Sequence, residues 1–84
     1  MNTQNTQTII YQITPSKWVA ENLLIAVTGI KPGTIARARR KAWLIGREYL
    51  HYSVEGDPKP NSECLYNIEA IIRWIERQKQ PGAQ

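Results

Sequence analysis

Two stretches with helical spacing of apolar residues lie only four residues apart, and that short junction constrains this chain most. Upstream, Ala20, Leu23, Leu24 and Val27 fall at i, i+3, i+4 and i+7, and Trp18 and Val19 widen the stripe. Thr14-Pro15 reads as a cap followed by proline at the first helical position. Downstream, Pro32 suits the start of a second helix, with Lys31 as its capping residue. Ile35, Ala38 and Ala42 form that helix's apolar side, and the small alanines permit close approach. Between the two, Thr28-Gly29-Ile30-Lys31 contains a glycine, which adopts the left-handed conformation that ends a helix without steric cost. Two helices joined so tightly make a helix-turn-helix.

The remainder alternates between strand and loop signals. Residues 47–54 have period-two spacing: Arg47, Tyr49, His51 and Ser53 on one side, Glu48, Leu50, Tyr52 and Val54 on the other. Residues 55–62 (EGDPKPNS) hold one glycine and two prolines and read as a loop. Residues 63–66 return as a strand, completing a hairpin. Asn67 caps a last helix, in which Ile68, Ile71, Ile72 and Ile75 form a stripe at i, i+3, i+4 and i+7. Residues 8–13 (TIIYQI) are rich in β-branched side chains and suit a short edge strand. The expected class is α+β, a winged helix-turn-helix. Its 84 residues make one domain, 1–84, with flexible tails at 1–7 and 80–84.

Charge narrows the function. The net charge is +4, and Lys31, Arg37, Arg39, Arg40, Lys41 and Arg47 all fall within 31–47 with no acidic residue among them. The rest of the chain carries five basic and seven acidic side chains, so this segment supplies the whole surplus. A solvated helix face normally mixes signs to gain i,i+4 pairs. Unmixed positive charge attracts polyanions, and phosphate neutralisation drives non-specific nucleic-acid binding. No apolar run approaches the roughly 20 residues of a membrane helix, the first residues (MNTQNTQ) lack a signal-peptide pattern, and Cys64 has no partner for a disulfide. A small cytoplasmic domain is expected.

On the second helix, at 100° per residue, Arg37 and Arg40 point away from the apolar side and Arg39 and Lys41 flank them. Arginine reads guanine with paired hydrogen bonds in the major groove, and the N-terminal part of such a helix reaches the bases. Arg37 and Arg40, with Thr34 nearby, are therefore assigned to base edges, and Arg39 and Lys41 to phosphates. Contacts to the DNA backbone alone are the other possibility for these arginines. Gly33 and Thr34 offer backbone N–H groups without intrahelical partners, which suit a phosphate. Lys59, between Pro58 and Pro60, makes the hairpin loop either a basic wing for the minor groove or an ordinary solvated turn. The expected DNA-binding set is Lys31, Gly33, Thr34, Arg37, Arg39, Arg40, Lys41, Arg47 and Lys59.

Catalytic chemistry is poorly supported. His51 and Cys64 can face each other across the hairpin, but two ligands do not make a structural zinc site. Glu48 and His51 lack a third group, and there is no Gly-rich phosphate loop. Trp18, Trp43 and Trp74 suit packing, with Trp43 at the edge of the outer face and within reach of DNA. No metal, cofactor or enzyme activity is expected.

The run TGIKPGTIARARRKAWLIGREYLHYS, the Pro-rich loop and the closing CLYNIEAIIRWIERQ resemble phage and genomic-island excisionases, in particular the small excisionase group of integrated prophages. The resemblance covers about residues 16–78. It implies a winged helix of the MerR and lambda-excisionase type and a recombination directionality factor without catalytic activity. Such a protein binds repeats in the attachment-site arm, bends that DNA, directs the phage integrase toward excision and binds side by side with its own copies. It implies work on DNA in the cytoplasm, at the bacterial nucleoid. By position, Arg37 and Arg40 match basic recognition-helix residues of the lambda-type proteins. A prophage transcriptional regulator of the same fold and a protein-interaction module for an acidic partner are the alternatives.

Overall fold

The computed structural model describes residues 17–82. They form, in order, β1 (Trp18–Val19), α1 (Glu21–Thr28), α2 (Pro32–Lys41), β2 (Tyr49–His51), β3 (Cys64–Asn67) and α3 (Ile68–Glu76). The three strands make one antiparallel sheet in the order β1-β3-β2. The class is thus α+β, and the expected order of helix, turn, helix, hairpin and helix is present, with a strand ahead of it.

That leading strand is the main difference from the sequence reading. Trp18 and Val19 do not extend the first helix; they pair with Asn67 and Tyr66 of β3. A further bond, from the Ile68 N–H to the Lys17 carbonyl at 2.9 Å, holds this strand to the start of α3. Aromatic and β-branched residues suit extended backbone, and the open edge of β3 offers them hydrogen bonds that a helix extension would not. α1 therefore starts at Glu21, after Ala20, which is extended and provides no side-chain cap. The Thr14-Pro15 cap and the strand expected at 8–13 lie outside the described residues.

The face of α1 also differs. Leu24 is fully buried and Ile25 packs against the core, whereas Leu23 and Val27 remain 39% and 54% exposed. The inward row is Glu21, Leu24, Ile25 and Thr28, one residue on from the Ala20, Leu23, Leu24, Val27 stripe. One residue is a rotation of about 100°, enough to move a side chain from core to solvent.

The turn is as expected. Gly29 has φ 76°, and its N–H bonds the Ile25 carbonyl at 2.7 Å. Thr28 Oγ1 donates to the Leu24 carbonyl at 2.7 Å and accepts the Ile30 N–H at 3.1 Å, closing the corner. α2 follows from an extended Lys31 with Pro32 in its first turn. Ile35 and Ala38 are buried and Ala42 is packed beside them.

Between α2 and β2 the chain turns on an acidic side chain. Residues 47–54 were expected to be one strand; only Tyr49–His51 pair, because Arg47 and Glu48 belong to a turn. Glu48 is fully buried. Its Oε1 accepts the Leu44 N–H at 2.9 Å, its Oε2 accepts Arg47 Nε at 2.5 Å, and its own N–H bonds the Leu44 carbonyl. A buried carboxylate with both oxygens satisfied avoids the large cost of an unpaired charge.

The hairpin register is Tyr49↔Tyr66, Leu50↔Leu65 and His51↔Cys64. β3 ends at Asn67, which caps α3 by accepting the Ala70 N–H at 3.0 Å. α3 docks through Ala70 and Ile71, both buried, and through the partly buried Trp74. Of the isoleucine stripe, Ile72 and Ile75 stay 37% and 39% exposed. The core holds Val19, Leu24, Ile35, Ala38, Trp43, Tyr49, Tyr66 and Ile71, so every helix and strand contributes, together with Trp43 from the connection between α2 and β2. Each fully buried aliphatic side chain contributes about 1.5–3 kcal/mol by leaving water.

Candidate nucleic-acid interface

The candidate site lies mainly on α2. Ile35 and Ala38 bury one side, so the basic residues between them are sorted by angle. Arg37, Arg40 and Lys41 are exposed. Among the described residues the ion pairs are Arg47–Glu48 and Lys59–Asp57. Arg37, Arg40 and Lys41 thus face solvent without a carboxylate partner. Among the described residues Arg40 reaches the Ala36 carbonyl, at 3.3 Å.

At the start of α2, Lys31 and Gly33 are exposed and Thr34 is half-buried. The N–H groups of Gly33 and Thr34 fall in the first turn, where no intrahelical carbonyl can accept them. A Cβ on Gly33 would meet nothing within 4 Å, so the helix start is open to a ligand.

Arg39 has internal partners that helical spacing did not suggest. Its guanidinium donates to the Tyr66 hydroxyl at 2.8 Å and to Cys64 Sγ at 3.4 Å. The Tyr66 hydroxyl in turn donates to Glu21 Oε1 at 3.1 Å. Burial works against the Arg39 charge, yet Tyr66 and Cys64 outweigh it and raise its pKa above the ordinary value. Burial also holds the Tyr66 phenol well above its usual range. A side chain at about 65° from the centre of the buried face meets the sheet, which rises along that flank of α2.

The other two expected cations are paired. Arg47 holds the buried Glu48 and also reaches the Ala42 carbonyl at 3.4 Å. Lys59 lies 2.9 Å from Asp57, and both are exposed. Such a surface pair is worth about 0–1 kcal/mol, so a competing phosphate can displace the carboxylate. The loop carrying Lys59 is folded on its own serines: Ser53 Oγ accepts the Asp57 N–H and Ser62 Oγ the Lys59 N–H.

Trp43 does not border the outer face. It is 3% exposed and packs edge-to-face against Tyr66 and Trp74, with centroids 6.1 and 5.5 Å away. α2 ends at Lys41, so extending the helical angle to residue 43 misplaces it. His51 and Cys64 do face each other, Nδ1 to Sγ at 3.2 Å, with the Ser62 carbonyl 3.0 Å from Nδ1. Among the described residues no three His, Cys, Asp or Glu side chains gather as a metal would require. None of the helices described is long and apolar enough to cross a membrane.

Glu48 and Tyr66 were missed as organising residues. Tyr66 is buried because its strand has a strand on each side, a placement that no short window of sequence shows, and Glu48 offered no signal in one dimension.

The family model described as "Putative excisionase (DUF1233)" matches residues 9–79. No curated protein matches the chain.

Proposed function

We propose a function from the premise that this chain belongs to the excisionase family. Its role is related to phage excision. We read α1, the Gly29 turn and α2 as the helix-turn-helix of a winged domain spanning the chain, with the β2–β3 hairpin as its wing. In this reading α2 enters the major groove of attachment-site DNA. Arg40 and Arg37 approach the bases, Lys31, Gly33, Thr34, Lys41 and Arg47 approach phosphates, and Lys59 lies near the adjacent minor groove. Arg39 braces the helix from behind. Bound copies bend the arm and bias the integrase toward excision, with this chain an accessory factor and not the catalyst.

The observation that carries the reading is the exposed Arg37, Arg40 and Lys41 on one helix, none of them held by an acid among the described residues. Electrophoretic mobility shift on attachment-region duplex, over a salt series, tests it. Binding that weakens steeply with salt, together with excision that depends on this protein and the cognate integrase, is the expected result. No shift at low salt overturns DNA binding; a shift without any effect on excision leaves a promoter-bound regulator instead.

A further inference from the structure

Thr34, Arg37, Ala38 and Lys41 of α2 and Trp74 of α3 line a groove of about 190 Å³. Its floor is Ala38, small enough to leave space between the helices, and one wall is the indole of Trp74. That ring is held in place by its edge-to-face contact with the buried Trp43, at 5.5 Å and 82°. The other wall is cationic: Arg37 and Lys41 are one helical turn apart, about 40° from each other around α2.

Charge on α3 has the same sense. Around that helix, Arg77 and Arg73 are the charged residues nearest Trp74, about 60° and 100° away, while Glu69 and Glu76 lie about 140° and 160° away. Arg73 and Arg77 are both exposed, and neither makes an ion pair among the described residues. The groove therefore has cations on the α2 bank, a fixed aromatic ring on the other, and its acids on the far side of α3.

We propose that this groove holds the sugar-phosphate backbone of bound duplex DNA, so that Trp74 and the basic side of α3 belong to the interface. A phosphate between Arg37 and Lys41 gains two charge-assisted contacts, and the Thr34 hydroxyl supplies a third donor. The indole offers the deoxyribose an apolar surface. The consequence for α2 is a division of labour. This refines the base-edge role read for both arginines above: Arg37 serves the backbone from the groove, and Arg40, about 60° further round and outside it, is left as the reader of base edges. The inference rests on α2 being the DNA-binding helix.

Two variants on α3 test it without touching α2. Fluorescence anisotropy of a labelled attachment-arm duplex is followed over a salt series for the wild type, Arg73→Gln and Arg40→Ala, and tryptophan emission for the wild type and Trp74→Phe. Arg73→Gln is expected to weaken binding roughly fivefold to tenfold near 0.1 M salt and to lower the slope of log K against log salt by about 0.9. Trp74→Phe, which keeps an aromatic ring against Trp43, is expected to remove most of the DNA-dependent change in tryptophan emission. Circular dichroism and urea unfolding of each variant separate lost contact from lost fold. Should both variants fold and behave as wild type while Arg40→Ala is impaired, α3 is outside the interface and this inference alone fails. Should the wild type ignore duplex DNA at any salt, the reading beneath it fails as well.

Discussion

The Arg39 guanidinium donates a 2.8 Å hydrogen bond to the Tyr66 hydroxyl, joining α2 to the central strand of the sheet. The Tyr66 hydroxyl donates in turn to Glu21 of α1, so one chain of hydrogen bonds links both helices of the helix pair to β3. The helix that presents the exposed arginines is thereby anchored from its opposite flank by an arginine of the same run.

Arg39→Ala is expected to act on stability more than on DNA affinity. Loss of a charge-assisted bond to a buried hydroxyl costs about 1–3 kcal/mol, which for a domain near this size lowers Tm by roughly 4–8 °C per kcal/mol. Urea unfolding measures it. The salt slope of DNA binding should fall less than for Arg40→Ala; an equal fall would mean that Arg39 leaves Tyr66 to meet a phosphate.

Alkaline pH should weaken the fold through Tyr66. Its phenol is raised above the ordinary value of 10.0 by burial, so the folded state keeps a proton that the unfolded chain releases. With fewer protons bound when unfolded, stability falls as pH rises: the contribution is whole below about pH 10 and declines above it, by up to about 1.4 kcal/mol per pH unit. Tyr66→Phe lacks this titration, and its stability should fall less steeply with pH above 10. Equal slopes in the two proteins would exclude Tyr66 as the source.

Glu48 offers a sharper test of the turn before β2. Glu48→Ala leaves the Leu44 N–H and the Arg47 Nε–H without their acceptors and opens a void, at a cost of about 2–4 kcal/mol. Glu48→Gln preserves the shape and one acceptor, and should cost less than half as much. Equilibrium denaturation of both variants checks the order.

Arg40→Ala is expected to lose about 1–3 kcal/mol on a specific site and to relax discrimination against altered bases there. Lys59→Ala should instead weaken all duplexes alike, reducing the salt slope by about 0.9 if the hairpin loop meets a phosphate. Asp57→Asn, which frees Lys59 from its surface pair, should then strengthen binding slightly. Competition titrations with specific and unrelated duplexes distinguish the two patterns.

Much of this protein was determined locally. Pro32, Gly29 and Asn67 mark helix ends because each acts within one turn of itself: a fixed φ, a left-handed φ, and a side chain that bonds an N–H three residues on. The exposure of Arg37 and Arg40 follows as locally, since the ten residues of α2 give its period room to repeat. Tertiary structure decided what depends on a distant partner. Two residues, Trp18 and Val19, have no period of their own, and only the free edge of β3, some 47 residues later, makes them a strand. The faces of α1 and α3 turned because a short stripe of apolar residues is broad, and the choice of which row is buried belongs to the surface it meets: Tyr66 against α1, and Trp43 against Trp74 of α3. Glu48 became buried and Arg39 half-buried against β3 for the same reason. A charge leaves water only where partners from elsewhere in the chain replace its hydration, and no short window of sequence contains them.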